Sequence, residues 1–136
     1  MSAVPKETLV VVADGRDARF FRNVGEDRQL LLHQYDQHEL MNANDDGPSG
    51  SMPGESSAKQ LDEATFTKQL AHTLNSGALR QQYQYLVLIA DPTTLGRIRP
   101  LLHKETTQRL LAEIGKDFTN ATLDTIQQAV SQSVST

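Results

Sequence analysis

Two aspartates follow directly on apolar runs. Asp14 closes Thr8-Leu9-Val10-Val11-Val12-Ala13, and Asp91 closes Tyr85-Leu86-Val87-Leu88-Ile89-Ala90. If both runs are strands of one sheet, the two carboxylates project from the same edge. Such a pair supplies hard oxygen ligands that could position Mg²⁺ for phosphoryl chemistry. Each aspartate also has a plainer role: Asp14-Gly15 is a turn dipeptide, and Asp91 stands before Pro92 at a helix entry. Spacing places no third acidic residue beside them. Turn and cap are therefore the preferred roles, with a metal site of Asp14 and Asp91 as the alternative.

The second group is basic. Arg97, Arg99, His103, Lys104 and Arg109 concentrate positive charge, with Lys116 on the same side, in a chain whose formal charge is −4. A surface of this kind can receive phosphate oxygens from RNA. Its ordinary alternative is a solvated face paired with Glu105, Glu113 and Asp117. The overall acidity argues against sequence-blind attraction to DNA or acidic membranes. Other candidates are weaker. His33 and His38 are five apart and would face opposite sides of a strand, and His72 and His103 are isolated, so all four read as surface or packing residues. Gly47-Pro48-Ser49-Gly50-Ser51 fails the nucleophile-elbow pattern, and no phosphate loop ending in Gly-Lys-Ser/Thr occurs. No cofactor is implied.

The elements that must position these residues follow from periodicity. Leu9 to Ala13 and Leu86 to Ala90 read as central strands buried on both faces. After Asp14-Gly15, expected to form a type I′ turn, Ala18 to Val24 and Gln29 to Tyr35 complete an antiparallel meander around a second turn at Gly25-Glu26-Asp27. Met41 to Ser57 is rich in Asn, Asp, Gly, Pro and Ser and reads as a long flexible loop, functional or disordered. Ser57 and Gln60 resemble a capping box. Leu61, Phe66, Leu70 and Leu74 then define one helix face that stops near Asn75-Ser76-Gly77. The second central strand should return parallel to the first through a right-handed crossover. Leu95, Ile98 and Leu102 mark another helix, kinked or divided at Pro100. Leu110 to Phe118 holds an edge strand, and Leu123, Ile126 and Val130 a last amphipathic helix entered at Asn120-Ala121-Thr122.

A chain of 136 residues suits one domain, 1–136. The absence of cysteine excludes disulfides, thiolate zinc sites and cysteine nucleophiles, and favours a reducing compartment. The start Met-Ser-Ala-Val-Pro-Lys-Glu has neither a basic region nor a long apolar one. The expected location is the cytoplasm, with no membrane association.

Three segments look familiar in combination. They are Val11-Val12-Ala13-Asp14-Gly15-Arg16-Asp17-Ala18-Arg19-Phe20-Phe21, then Leu86 through Gly96 with its Ala90-Asp91-Pro92-Thr93-Thr94, and Leu102-His103-Lys104-Glu105 followed by Ala112 through Thr119. In order and spacing they resemble the bacterial host attachment family. That family is similar in turn to the middle domain of archaeal and eukaryotic peptide-release factors. The resemblance implies an α/β, ribonuclease-H-like fold: a mixed five-stranded sheet, antiparallel meander plus parallel strands, flanked by helices. In release factors a Gly-Gly-Gln tip on the corresponding loop promotes peptidyl-tRNA hydrolysis. Asp45 to Ser57 contains no Gly-Gly-Gln, so that activity is not carried over.

The expectation is a non-enzymatic binding module contacting RNA, the ribosome or a protein partner, through the loop and the Arg97 to Arg109 surface. A role in host attachment would be indirect, since no export signal is seen. The enzymatic alternative is a divalent-metal nuclease or phosphohydrolase using Asp14 and Asp91. Oligomeric state is left open.

Overall fold

The computed structural model describes residues 4–25, 30–39 and 55–134, with backbone alone at 38–39 and 55–62. In chain order these form β1 (Leu9–Ala13), β2 (Asp17–Asn23), β3 (Leu32–Glu39), α1 (Glu55–Leu79), β4 (Leu86–Ala90) and α2 (Pro92–Ile98). A 3₁₀ turn (Arg99–Leu101), α3 (Lys104–Gln108), β5 (Leu110–Gly115) and α4 (Leu123–Val134) follow. The five strands make one sheet in the order β3-β2-β1-β4-β5. β1 runs antiparallel to β2 and β2 to β3, whereas β4 is parallel to β1 and β5 to β4. This is the mixed five-stranded, ribonuclease-H-like arrangement that the resemblance implies.

The unbroken apolar runs of β1 and β4 have a simple cause. Successive strand residues point to opposite faces, and both faces of these two strands are covered. Leu9, Val11, Ala13, Leu86, Leu88 and Ala90 enter a core with Phe66, Leu70, Leu74 and Ile98 from α1 and α2. Val10, Val12, Val87 and Ile89 enter a second core with Ile126 and Val130 of α4. Removing each of the Val, Leu, Ile and Phe side chains among these from water contributes roughly 1.5–3 kcal/mol before entropy is counted, and each alanine less. All ten residues of β1 and β4 are buried. Of the stripe expected on α4, Ile126 and Val130 are fully buried, while Leu123 at the helix start is 39% exposed.

Caps and breaks fall largely where the residue types require them. Asp91 has extended backbone and its Oδ2 accepts from Thr94 N at 3.1 Å, capping α2. Thr122 Oγ1 accepts from Thr125 N at 3.2 Å and opens α4. Pro100 sits within the 3₁₀ turn that separates α2 from α3, so the division expected there occurs.

Several expectations are corrected. The β1–β2 turn is not of type I′: none of Asp14, Gly15 and Arg16 adopts a left-handed conformation. Asp14 Oδ1 instead accepts from the backbone N–H groups of Arg16 and Asp17, each at 2.7 Å, and this side-chain turn closes the hairpin. Helix α1 does not stop at Gly77 but runs to Leu79, and Gln81 takes the left-handed end position with φ 57°. The edge strand ends at Gly115, not Phe118. The Gly25-Glu26-Asp27 turn lies partly outside the described residues. So does most of the expected 41–57 loop, whose last residues, Glu55 to Ser57, are already helical. Because the helix is already formed at Glu55, Ser57 lies inside it and the Ser57–Gln60 capping box does not open it; the side chain of Leu61 lies outside what is described.

Candidate functional site

In the parallel β1–β4 ladder Ala13 pairs with Ala90, so Asp14 and Asp91 leave the sheet side by side. Adjacent strands lie about 4.8 Å apart, and the two aspartates line one depression of about 340 Å³. Glu63 from α1, Asp117 after β5, and Arg16 and Arg97 complete its charged wall. Two cations against four anions leave this edge of the sheet acidic.

The carboxylates here are occupied by the backbone they organise. Besides the two N–H groups on Oδ1, Asp14 Oδ2 lies 3.2 Å from the Thr119 hydroxyl, which is 2.8 Å from Asp117 Oδ1. One hydroxyl hydrogen thus bridges two acids, tying the segment after β5 to the end of β1. Asp91 Oδ1 accepts from Thr94 Oγ1 at 2.7 Å, in addition to its cap bond. Among the described residues no group of three or more His, Asp or Glu side chains is arranged to hold a metal ion.

The six basic residues expected to share a surface are distributed. Arg97 lies at the acidic depression with Nη1 3.3 Å from Glu63 Oε1. Arg99 turns to β5, where Nε donates to Glu113 Oε1 at 2.8 Å and Nη2 lies 2.8 Å from the same oxygen. Arg109 stands at the opposite end of the sheet, its backbone carbonyl accepting from Leu86 N and its Nη1 donating to Tyr83 O at 2.9 Å. His103 precedes α3, and its backbone N–H donates to Asn75 Oδ1 at 2.8 Å. The side chains of His103, Lys104 and Lys116 are exposed. Of the acids named as ordinary partners, Glu113 pairs with Arg99 and Glu105 lies 3.9 Å from Arg109, while Asp117 faces Thr119.

Sequence reasoning missed Glu63, Arg16 and Thr119. Glu63 arrives from the middle of a helix far along the chain, and its neighbourhood is visible only through Gly15, where an added Cβ would lie 3.1 Å from Glu63 Cδ. Arg19, also unremarked, spans the other face: its Nη1 donates to the carbonyls of Thr119 and Ala121 at 3.0 and 3.2 Å, and its Nε to Gln34 Oε1 at 3.0 Å.

The sequence model of the family described as Bacterial archaeo-eukaryotic release factor family 12 matches residues 7–130. The chain belongs to this family. The match covers every described strand and the first two thirds of α4, and it bears out the release-factor side of the resemblance. No curated protein matches the chain. Among solved structures, the type II variant of the Aquifex aeolicus Ppx/GppA phosphatase aligns with a TM-score of 0.40 and 11% identity, over 79% of this chain. The chain spans only 34% of that phosphatase, a likeness too distant to carry an argument. Among the described residues, no helix of this release-factor-family domain is long and apolar enough to cross a membrane.

Proposed function

We propose that this member of the release-factor family is a non-enzymatic, cytoplasmic binding module that docks on RNA, with the ribosome as its natural setting. The observation that carries this reading is membership over residues 7–130 combined with the absence of Gly-Gly-Gln from Asp45 to Ser57. A domain that keeps the release-factor framework without the hydrolytic tip retains the capacity to dock and loses the group that would react. The exposed side chains of Arg99, Lys104 and Lys116 supply cations to phosphates, with the exposed His103 beside α3 as a further polar contact. Any contribution to attachment to host cells is indirect, through what the module binds.

The test is sedimentation with ribosomes and titration with structured RNA at increasing salt. Binding that falls as salt rises, and falls further in a Lys104→Glu/Lys116→Glu variant, is the expected result. No association at low salt overturns the RNA reading, and association with a protein partner alone replaces it.

A second reading, a divalent-metal nuclease or phosphohydrolase, is favoured by one observation: Asp14, Asp91, Glu63 and Asp117 share a depression. Nuclease assays with Mg²⁺ or Mn²⁺ on the wild type and Asp91→Ala decide it. Activity must exceed background and vanish in the variant for this reading to stand.

A further inference from the structure

The opposite end of the sheet carries a second cleft, of about 410 Å³, at the start of β1 and β4. Among the described residues only two that are not glycine have positive φ, Glu7 at 73° and Gln81 at 57°, and both line it. Glu7 occupies the third position of the Pro5–Thr8 turn, closed by Thr8 N donating to Pro5 O at 3.2 Å. Gln81 ends α1, where Gln81 N donates to Ala78 O and Gln82 N to Gly77 O, at 3.1 and 2.8 Å. Glycine is the residue at home in both positions, because any Cβ meets backbone there. Two long polar side chains held at cost on the rim of one cleft are a mark of use.

The cleft's chemistry points to a ligand class. Its charges are Lys6, Arg22 and Glu7, so it is net positive by one, whereas the depression at Asp14 and Asp91 is net negative by two. Arg22 is fixed by donating Nη1 to Glu7 O and Nη2 to Gln82 O, at 3.1 and 2.9 Å, which uses two of its five N–H groups. Its guanidinium lies 5.4 Å from the Tyr35 ring centroid, and Arg22 also lines the adjoining pocket of about 180 Å³ that contains Tyr35. Tyr35 is 47% and Tyr85 40% exposed. Gln81, Gln82 and Gln84 add amides that both donate and accept. An exposed aromatic ring, amides for base edges and cations for phosphates, Arg22 among them held in place, are what an unpaired nucleic acid strand requires and what a duplex, with its bases stacked inside, does not use.

We propose that this cleft seats an unpaired segment of RNA, with a base stacking on Tyr85, the glutamine amides meeting base edges, and Lys6 and Arg22 meeting phosphates. The proposal rests on the RNA-binding reading and moves the contact to the end of the sheet away from Asp14, Asp91 and Arg97.

Fluorescein-labelled single-stranded oligoribonucleotides of about eight nucleotides, with a hairpin as control, test it on the full chain between ~50 and ~200 mM salt. The expected salt slope is about −1.4 for two phosphate contacts on a single strand. Tyr85→Ala weakens binding roughly tenfold and Tyr85→Phe leaves it unchanged, because the ring stacks and the hydroxyl does not. Gln81→Gly weakens it roughly fivefold through a lost amide contact, without loss of fold. Single-strand binding unaffected by Tyr85→Ala and Gln81→Gly overturns the cleft and leaves the RNA reading standing. Binding lost in those variants but retained in Lys104→Glu/Lys116→Glu supports the cleft and removes the basic surface. Absence of any RNA binding by the wild type overturns both.

Discussion

Gly77 of α1 lies directly against the ring of Tyr83: a Cβ built on the glycine would stand 2.9 Å from Tyr83 Cε2 and 3.3 Å from Cδ2. The ring cannot easily yield, since Tyr83 is 4% exposed and its hydroxyl donates to Leu74 O at 2.7 Å. In an open helix interior, Gly77→Ala would gain up to about 1 kcal/mol from propensity. Here overpacking, which costs about 1–3 kcal/mol, opposes and exceeds that gain. The expected outcome is a net loss of about 1 kcal/mol, read from the urea midpoint at unchanged slope.

Tyr83 also gives the fold an alkaline limit. Burial, its largest influence, raises the hydroxyl pKa above the usual 10.0, against smaller lowering effects of Thr106 and Arg109. Below pH 10 the group is neutral in both folded and unfolded chains, so its contribution is complete. Above pH 10 the unfolded chain ionises first, and stability falls as pH rises through the folded value. Tyr83→Phe should therefore cost about 1 kcal/mol at pH 7, from the bond to Leu74 O. The same variant should lose less than the wild type between pH 9 and 11. Parallel urea titrations at those pH values check both signs. An equal alkaline loss in the two proteins would show that other groups, Tyr35 among them, set the limit.

Gln81 holds a position that glycine fills without strain. A left-handed conformation costs a residue with a Cβ about 1–2 kcal/mol, partly offset by the greater freedom glycine has when unfolded. Gln81→Gly should raise stability by about 0.5–1 kcal/mol, seen as a higher urea midpoint. A lower midpoint would mean that the glutamine side chain contributes more to the fold than its conformation costs.

These positions show where the sequence was and was not sufficient. β1 and β4 were legible because burial on both faces leaves no polar alternation to interpret. Asp91, Thr122 and Pro100 acted through local backbone chemistry and were found. Gly77 reads as a helix stop because a glycine needed for space and one needed for positive φ look identical in sequence. Gln81, which does end the helix, carries no such signature. The basic residues from Arg97 to Arg109 seemed one surface because they are close in sequence. They span α2, the 3₁₀ turn and α3, which return the chain from one end of the sheet to the other and leave Arg97 and Arg109 at opposite ends. The Asp14–Thr119 link, 105 residues apart in sequence, could not be read from spacing.

Asp91 separates stability from chemistry. Its cap bond to Thr94 N and its bond to Thr94 Oγ1 should make Asp91→Ala cost about 1 kcal/mol. Asp91→Ser, whose hydroxyl can still accept from Thr94 N, should recover most of it in thermal denaturation. Recovery of stability by Ser identifies the cap as the residue's structural role, whatever the nuclease assay reports.

Asn75 should be the most sensitive single polar position in the fold. It is 6% exposed on α1, and its amide joins that helix to the 3₁₀ turn, to the residue before α3 and to α3 itself through three bonds. Nδ2 donates to Leu101 O at 3.0 Å, while Oδ1 accepts from His103 N at 2.8 Å and from Thr106 Oγ1 at 2.7 Å. Thr106 is itself fully buried, so truncation would leave its hydroxyl without this acceptor and the Leu101 carbonyl without this donor. Buried groups stranded in this way cost about 1–3 kcal/mol each, and partial relaxation limits the sum, so Asn75→Ala should lose about 2–4 kcal/mol. Asn75→Asp separates the two halves of the interaction. It keeps both acceptor contacts but turns a carboxylate toward Leu101 O, and its deficit should shrink as the pH falls and the acid gains a proton to donate. The absence of a deficit at any pH would place the stabilisation in the two bonds to Oδ1 rather than in the one from Nδ2.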